Sequence, residues 1–263
     1  MTLPVPDFIT RAKITGLPVQ HQWSQEDAMV ALGSENPTVE RKLAASSARV
    51  LLSLSAGLAE WLQVRFAQLQ ADPELEQLIE AVWAASIDFR YLKADAREFP
   101  SDDTDPVRGP MQECKRVLRW ITEEAYLDAD MGVVSYTQNL GSLVNYVLPD
   151  TKAFQKWLKG AMASLPALSA PSILVIGKVD GAFKSQPRGV VESVWGTPVP
   201  REALDPSFDP KAADSAKLID ELLQKIDKPG NPFLRSPAEL TAMGMVGTPY
   251  RYSKPLKSGS TRC

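Results

Sequence analysis

The chain holds one histidine, His21, and two cysteines, Cys114 and Cys263, among 263 residues. Zinc catalysis, paired imidazole ligands and Ser-His-Asp or Cys-His relays each need a well-placed imidazole, so the composition leaves room for one such centre at most. His21 stands beside Trp23, outside the helical stripes described below, and reads as a packing or exposed ring. A His21–Cys114 pair is the remaining thiol relay, but Cys114 takes an inward helical position. There a thiol behaves as a small hydrophobe. Cys263 has no residues after it here, whereas a prenylation box needs three, so it reads as an exposed free thiol.

Cofactor motifs fail in the same way. Di-iron helical bundles use Glu-x-x-His on two helices, which one histidine cannot supply. Gly177-Lys178 follows a strand-like run and suggests a phosphate loop, but that loop needs glycine where Ser172 stands and Ser or Thr where Val179 stands. Asp102, Asp103 and Asp105, and separately Asp128 and Asp130, lack the twelve-residue calcium-loop spacing and read as solvated acidic loops. No metal and no cofactor is expected.

Two sets of residues remain. Asp88, Arg90, Tyr91, Lys93, Asp95 and Arg97 crowd the end of one helix with both signs of charge, a pattern that i,i+4 pairing on a wet face explains. Joined with Asp102, Asp103 and Arg108, the residues Asp88, Arg90 and Tyr91 define a carboxylate–arginine pocket as the alternative reading. Paired carboxylates do acid–base work when burial separates their pKa values. The other set is Gln138, Ser142, Asn145 and Tyr146, neighbours at helical spacing on a face that carries no charge. A helix face that holds amides and tyrosine instead of Lys and Glu suits a covered or partner-facing surface. The expected cover is the chain's own C-terminal arm or another protein. Trp61, Trp83, Trp120 and Trp157 fall one to a helix; Trp120 alone lies beside its apolar stripe, which makes it an interface candidate.

The elements that position these residues follow from caps, periods and prolines. Ser24 with Asp27 and a stop at Gly33 marks a short helix, and Asn36-Pro37 opens a long one. Its stripe from Leu43 to Leu69 predicts a helix of about nine turns. Asp72-Pro73 starts a second, Pro110 a third, the segment after Asp128–Gly132 a fourth, and Asp150 caps a fifth that ends at Leu165. Twelve of the 21 prolines lie from Pro166 onward, where helices and sheet interiors tolerate them poorly. Ser172–Val179 and Gly189–Trp195 read as a small hairpin or as a surface peptide without regular structure, Ala213–Ile226 predicts a helix, and Ser236-Pro237-Ala238-Glu239 a capping box stopped by Gly244. The fold class is therefore mainly α: an antiparallel bundle of about five helices followed by a proline-rich irregular arm. The expected divisions are an N-terminal extension at 1–36, a bundle at 37–165 and an arm at 166–263.

The net charge of −3 argues against nucleic acid, which needs clustered Lys and Arg. The uncharged stretch between Asp130 and Asp150 is too polar for a membrane span. Pro4, Pro6 and Asp7 stand where a signal peptide needs a basic flank and an apolar run. A cytoplasmic protein is expected. Its expected function is non-catalytic protein interaction, as an adaptor, an inhibitor or immunity-type binder, or an accessory subunit. The alternative is an enzyme or small-ligand binder built on the carboxylate–arginine pocket.

Overall fold

A computed structural model describes residues 3–33, 36–93, 98–100, 102–127, 131–169 and 196–252. Among them the chain is mainly helical, a bundle as expected. The helices are α1 (Asp7–Thr10), α2 (Gln25–Ala31), α3 (Pro37–Ala44), α4 (Ala48–Phe66), α5 (Pro73–Ile87), α6 (Arg108–Leu127), α7 (Met131–Val147), α8 (Lys152–Leu168), α9 (Ser215–Lys225) and α10 (Pro237–Ala242). Single 3-10 turns cover Phe89–Tyr91 and Arg201–Leu204. The hairpin expected at Ser172–Trp195 lies outside the described residues.

Four caps fall where the sequence puts them, whereas the N-cap position of α8 is held by Thr151 and not by Asp150, whose Oδ1 accepts from Lys152 N–H one residue further out. Ser24, Asn36, Asp72 and Ser236 each accept a backbone N–H of the following turn, and Glu239 closes the capping box on Ser236. The long first helix does not hold. It breaks at Ser46–Ser47, where Ser47 turns to extended backbone and caps Val50 instead of continuing the helix. Serine competes with helical hydrogen bonding through its own hydroxyl, and here the hydroxyl also bonds Ser169 Oγ at 2.9 Å. The fifth helix runs on to Leu168 with Pro166 in its last turn, where a missing N–H breaks the ladder only once.

α4 is the axis of the bundle. All of its residues except Gln63 are buried, because α5, α6, α7 and α8 all pack against it. A helix surrounded this way needs its polar groups satisfied inside. Ser55 Oγ bonds Thr137 Oγ1 on α7 at 2.9 Å, and Ser53 Oγ donates to its own helix at Arg49 O. Arg65 is fully buried and its guanidinium donates to the carbonyls of Leu17, Pro18 and Val147. This ties the N-terminal segment to the end of α7. Phe8, Trp61, Phe154 and Trp157 form an aromatic cluster at the α4–α8 seam, with Phe8 stacked on Trp157 at 5.2 Å.

Residues 196–252 are packed on the same body. Trp157 Nε1 donates to Leu204 O at 2.8 Å, and Leu204 lies so close to Gly57 that a Cβ there would meet it at 2.3 Å. Arg201 pairs with Glu60 at 2.7 Å and donates to Pro4 O, which clasps arm, α4 and N-terminus together. Leu92 and Leu234 form an isolated antiparallel bridge. Tyr250 stacks on Tyr91 with ring centroids 4.2 Å apart, and its N–H donates to Tyr91 Oη.

Candidate functional site

Gln138, Ser142, Asn145 and Tyr146, picked out by their lack of charge, all line one cleft of about 510 Å³. Its floor is apolar: Leu54 and Leu58 from α4, and Phe154, Leu158 and Met162 from α8. Val39 and Leu43 of α3 form the facing wall, and Val30 and Ala31 of α2 one end. None of the described lining residues carries a charge. Helical spacing explains the α7 contribution. Gln138, Gly141, Ser142 and Asn145 recur at three- and four-residue steps and so share one side of the helix.

Gly141 keeps the cleft open. A Cβ there would sit in ordinary contact with Leu158 and Leu58, at 3.7 and 4.0 Å, so a longer side chain would grow into the space between α4 and α8. At the rim Gln155 Nε2 donates to Asn145 Oδ1 at 3.0 Å, bridging α8 and α7. That bond leaves an amide donor on Asn145 and an acceptor on Gln155 at the cleft edge. Thr137 lies deeper and is satisfied by Val133 O and Ser55 Oγ.

Part of the α7 face is covered, and the N-terminal segment supplies that cover. Tyr146 Oη donates to Asp27 Oδ1 at 3.1 Å and to Gln22 O, and its ring packs edgewise on Trp23. Gly33 approaches until a Cβ on it would lie 2.8 Å from Ser142 Oγ, and its φ of +71° is one that glycine adopts freely. The expected cover, the C-terminal arm or another protein, is not among the described contacts of this face; residues 170–195 of the arm lie outside the described residues. Ala28 and Ala31 are the buried residues of α2, which packs on α7, and Arg65 holds the approach through Leu17 O and Pro18 O. Burial, and then the bond to Asp27, push the Tyr146 phenol above its usual value, so it is neutral at physiological pH. The outer lip of the cleft stays open: Met29 is 75% and Val30 67% exposed, an unusual state for adjacent large apolar side chains.

Trp120 belongs elsewhere. It is half-buried, packed on Tyr136 with centroids 5.3 Å apart and under the Arg116 guanidinium. Tyr136 precedes Gln138 by two residues, about 200° around α7, so Trp120 stands on the far side of the helix from the cleft.

The residues of the carboxylate–arginine pocket are divided. Asp88 and Arg90 pair with each other at 2.6 Å beside α5, and Tyr91 is buried under Tyr250. Asp103 and Arg108 pair with each other at 2.9 Å at the start of α6, while Asp102 is exposed. The Arg108 bond holds the Asp103 carboxyl below its usual range, the reverse of what an acid catalyst requires. Each pair is closed locally by short-range sequence contacts.

His21 and Cys114 face different groups. His21 Nε2 meets Pro106 O at 2.7 Å, between the rings of Phe66 and Tyr146, and burial lowers its pKa. Cys114 is fully buried and its thiol is pushed far up by desolvation, which removes the thiolate a nucleophile needs. Among the described residues no cluster of His, Cys, Asp and Glu could hold a metal ion, and no helix is long and apolar enough to cross a membrane. Comparison with known proteins returns no match to any family model, curated protein or solved structure.

Sequence reasoning found the polar wall of the cleft and missed the rest. The walls from α3 and α8 come from faces that read as ordinary core stripes. The one available signal was Gly141, a glycine in the middle of a strong helical pattern.

Proposed function

We propose that this chain is a non-catalytic protein-interaction protein, and that the cleft between α3, α7 and α8 receives a helical segment of its partner. The observation that carries the reading is an apolar-floored cleft, uncharged among its described lining residues, continuous with the exposed Met29–Val30 lip. A catalytic cleft needs convergent titratable groups, and among the described lining residues Tyr146, a neutral phenol, is the one such group. A small-molecule site usually buries most of its ligand; apolar side chains exposed beyond the rim favour a larger occupant.

The dimensions suit a helix. Phe154 to Met162 spans two turns, about 12 Å, enough for the i, i+3/i+4 and i+7 anchors of an amphipathic helix laid in a groove. Such recognition needs shape and burial and no reactive residue. An adaptor, an inhibitor or an accessory subunit could each work this way.

The test fills the cleft. Gly141→Leu keeps the helix and occupies the space, and Met162→Glu places a charge on the floor. Affinity capture from the native host with the full chain should yield a stoichiometric partner that both variants lose, at unchanged melting temperature. A partner retained by both variants would place the interface elsewhere on the molecule.

A further inference from the structure

The charges that border the cleft are distributed unevenly, and this bears on the partner's chemistry, given that the cleft is a helix-binding groove. α7 carries no charged residue at all along Met131–Val147. α8 carries three, Lys152, Lys156 and Lys159, and no acidic residue. They stand at i, i+4 and i+7 and therefore form one stripe, which runs beside Gln155 on the outer edge of the cleft. All three are exposed.

Among the described residues none of these lysines has an ion-pair partner. Several exposed basic groups elsewhere on the surface are paired: Arg11 with Asp205, Arg108 with Asp103, Lys217 with Glu221 and Arg251 with Asp220. In a chain whose net charge is −3, these three lysines share one helix that carries no carboxylate, beside an apolar groove. Lys42 adds a further exposed positive charge on α3, one position before Leu43; Glu40 is the acidic residue of that helix. Opposite charge at the edge of an interface selects the partner and sets its orientation.

We propose that the occupant is an amphipathic helix of a partner protein whose apolar stripe is bordered by aspartate or glutamate on the side that faces α8. The apolar stripe enters the floor at Leu58, Leu158 and Met162, and the carboxylates meet Lys152, Lys156 and Lys159. The polarity of α7 leaves the opposite border of the partner helix neutral.

The experiment uses the full chain and three fluorescent synthetic helices that share one leucine stripe. One carries glutamate along one border, one glutamine and one lysine. Fluorescence anisotropy at low salt should show the glutamate helix binding about tenfold more tightly than the glutamine helix, as three exposed ion pairs allow. The gap should shrink at high salt. Replacing all three lysines (Lys152→Glu, Lys156→Glu and Lys159→Glu) should shift the preference to the lysine helix.

Equal binding of the glutamate and glutamine helices, lost in Gly141→Leu, overturns the charge inference and leaves the groove reading standing. A glutamate preference that survives the triple replacement overturns it also. No binding of any helix beyond that of Gly141→Leu sinks both readings. A concentration-dependent dimer in sedimentation that Gly141→Leu abolishes makes a second copy the occupant and overturns the proposal.

Discussion

Glu60 shows how one buried residue depends on its partners. Its Oε1 accepts from Trp83 Nε1 and from Arg201, and burial raises its pKa even against the pull of the arginine. Arg201→Ala would leave the carboxylate buried and uncompensated at a cost of about 3 kcal/mol. A carboxyl whose folded pKa is raised binds protons more tightly than in the unfolded chain, so its penalty grows as pH rises through the carboxylate range. Urea midpoints of Arg201→Ala should therefore fall well below the parent at neutral pH and converge on it in mild acid. A pH-independent deficit would mean that lost packing, not charge, accounts for the effect.

His21 works in the opposite direction. Burial and the nearby Arg65 lower its pKa, so folding favours the neutral ring. That contribution is present above the ordinary imidazole value and is lost as pH falls through it. His21→Phe preserves a ring between Phe66 and Tyr146, and should flatten the mild-acid decline in melting temperature. A decline of unchanged slope would assign it to the buried carboxyls or to other groups.

At the scale of elements, the break between α3 and α4 matters most. Ser47 ends one helix and begins the next, and the turn directs α3 across α7 rather than along the axis of α4. Val39 and Leu43 form a cleft wall only because of that redirection. Ser47→Ala removes the cap on Val50 and the bond to Ser169, and should cost about 1 kcal/mol in chemical denaturation. The stripe in the sequence continued across Ser46–Ser47 because the apolar spacing is the same on both sides. Periodicity records which residues are buried and says little about whether one helix or two carry them.

For the whole molecule, the described part of the arm belongs to the fold. It caps Trp157, Glu60 and Tyr91, three groups that would otherwise meet water at the side of the bundle. A chain ended at Leu165 should expose the aromatic α4–α8 seam, bind a hydrophobic dye and unfold over a broad range, in contrast to a cooperative full-length transition. A sharp transition in the shortened chain, with little dye bound, would show that the bundle is complete without residues 196–252.

What the linear chain determined was local. Caps at Ser24, Asn36, Asp72 and Ser236, prolines at first helical positions and the 3.6-residue period specified where most helices start and which faces turn inward, because each depends on residues a few positions apart. The absence of charge from one side of α7 marked Gln138, Ser142, Asn145 and Tyr146 for the same reason. Tertiary structure alone decided what stands opposite them. Placing Leu43, Leu58 and Leu158 around one space, or Asp27 against Tyr146 across 119 residues, depends on how whole helices pack. Likewise Asp88 with Arg90 and Asp103 with Arg108 closed as local pairs, since a neighbour two to five residues away pairs at a lower entropic cost than a distant one.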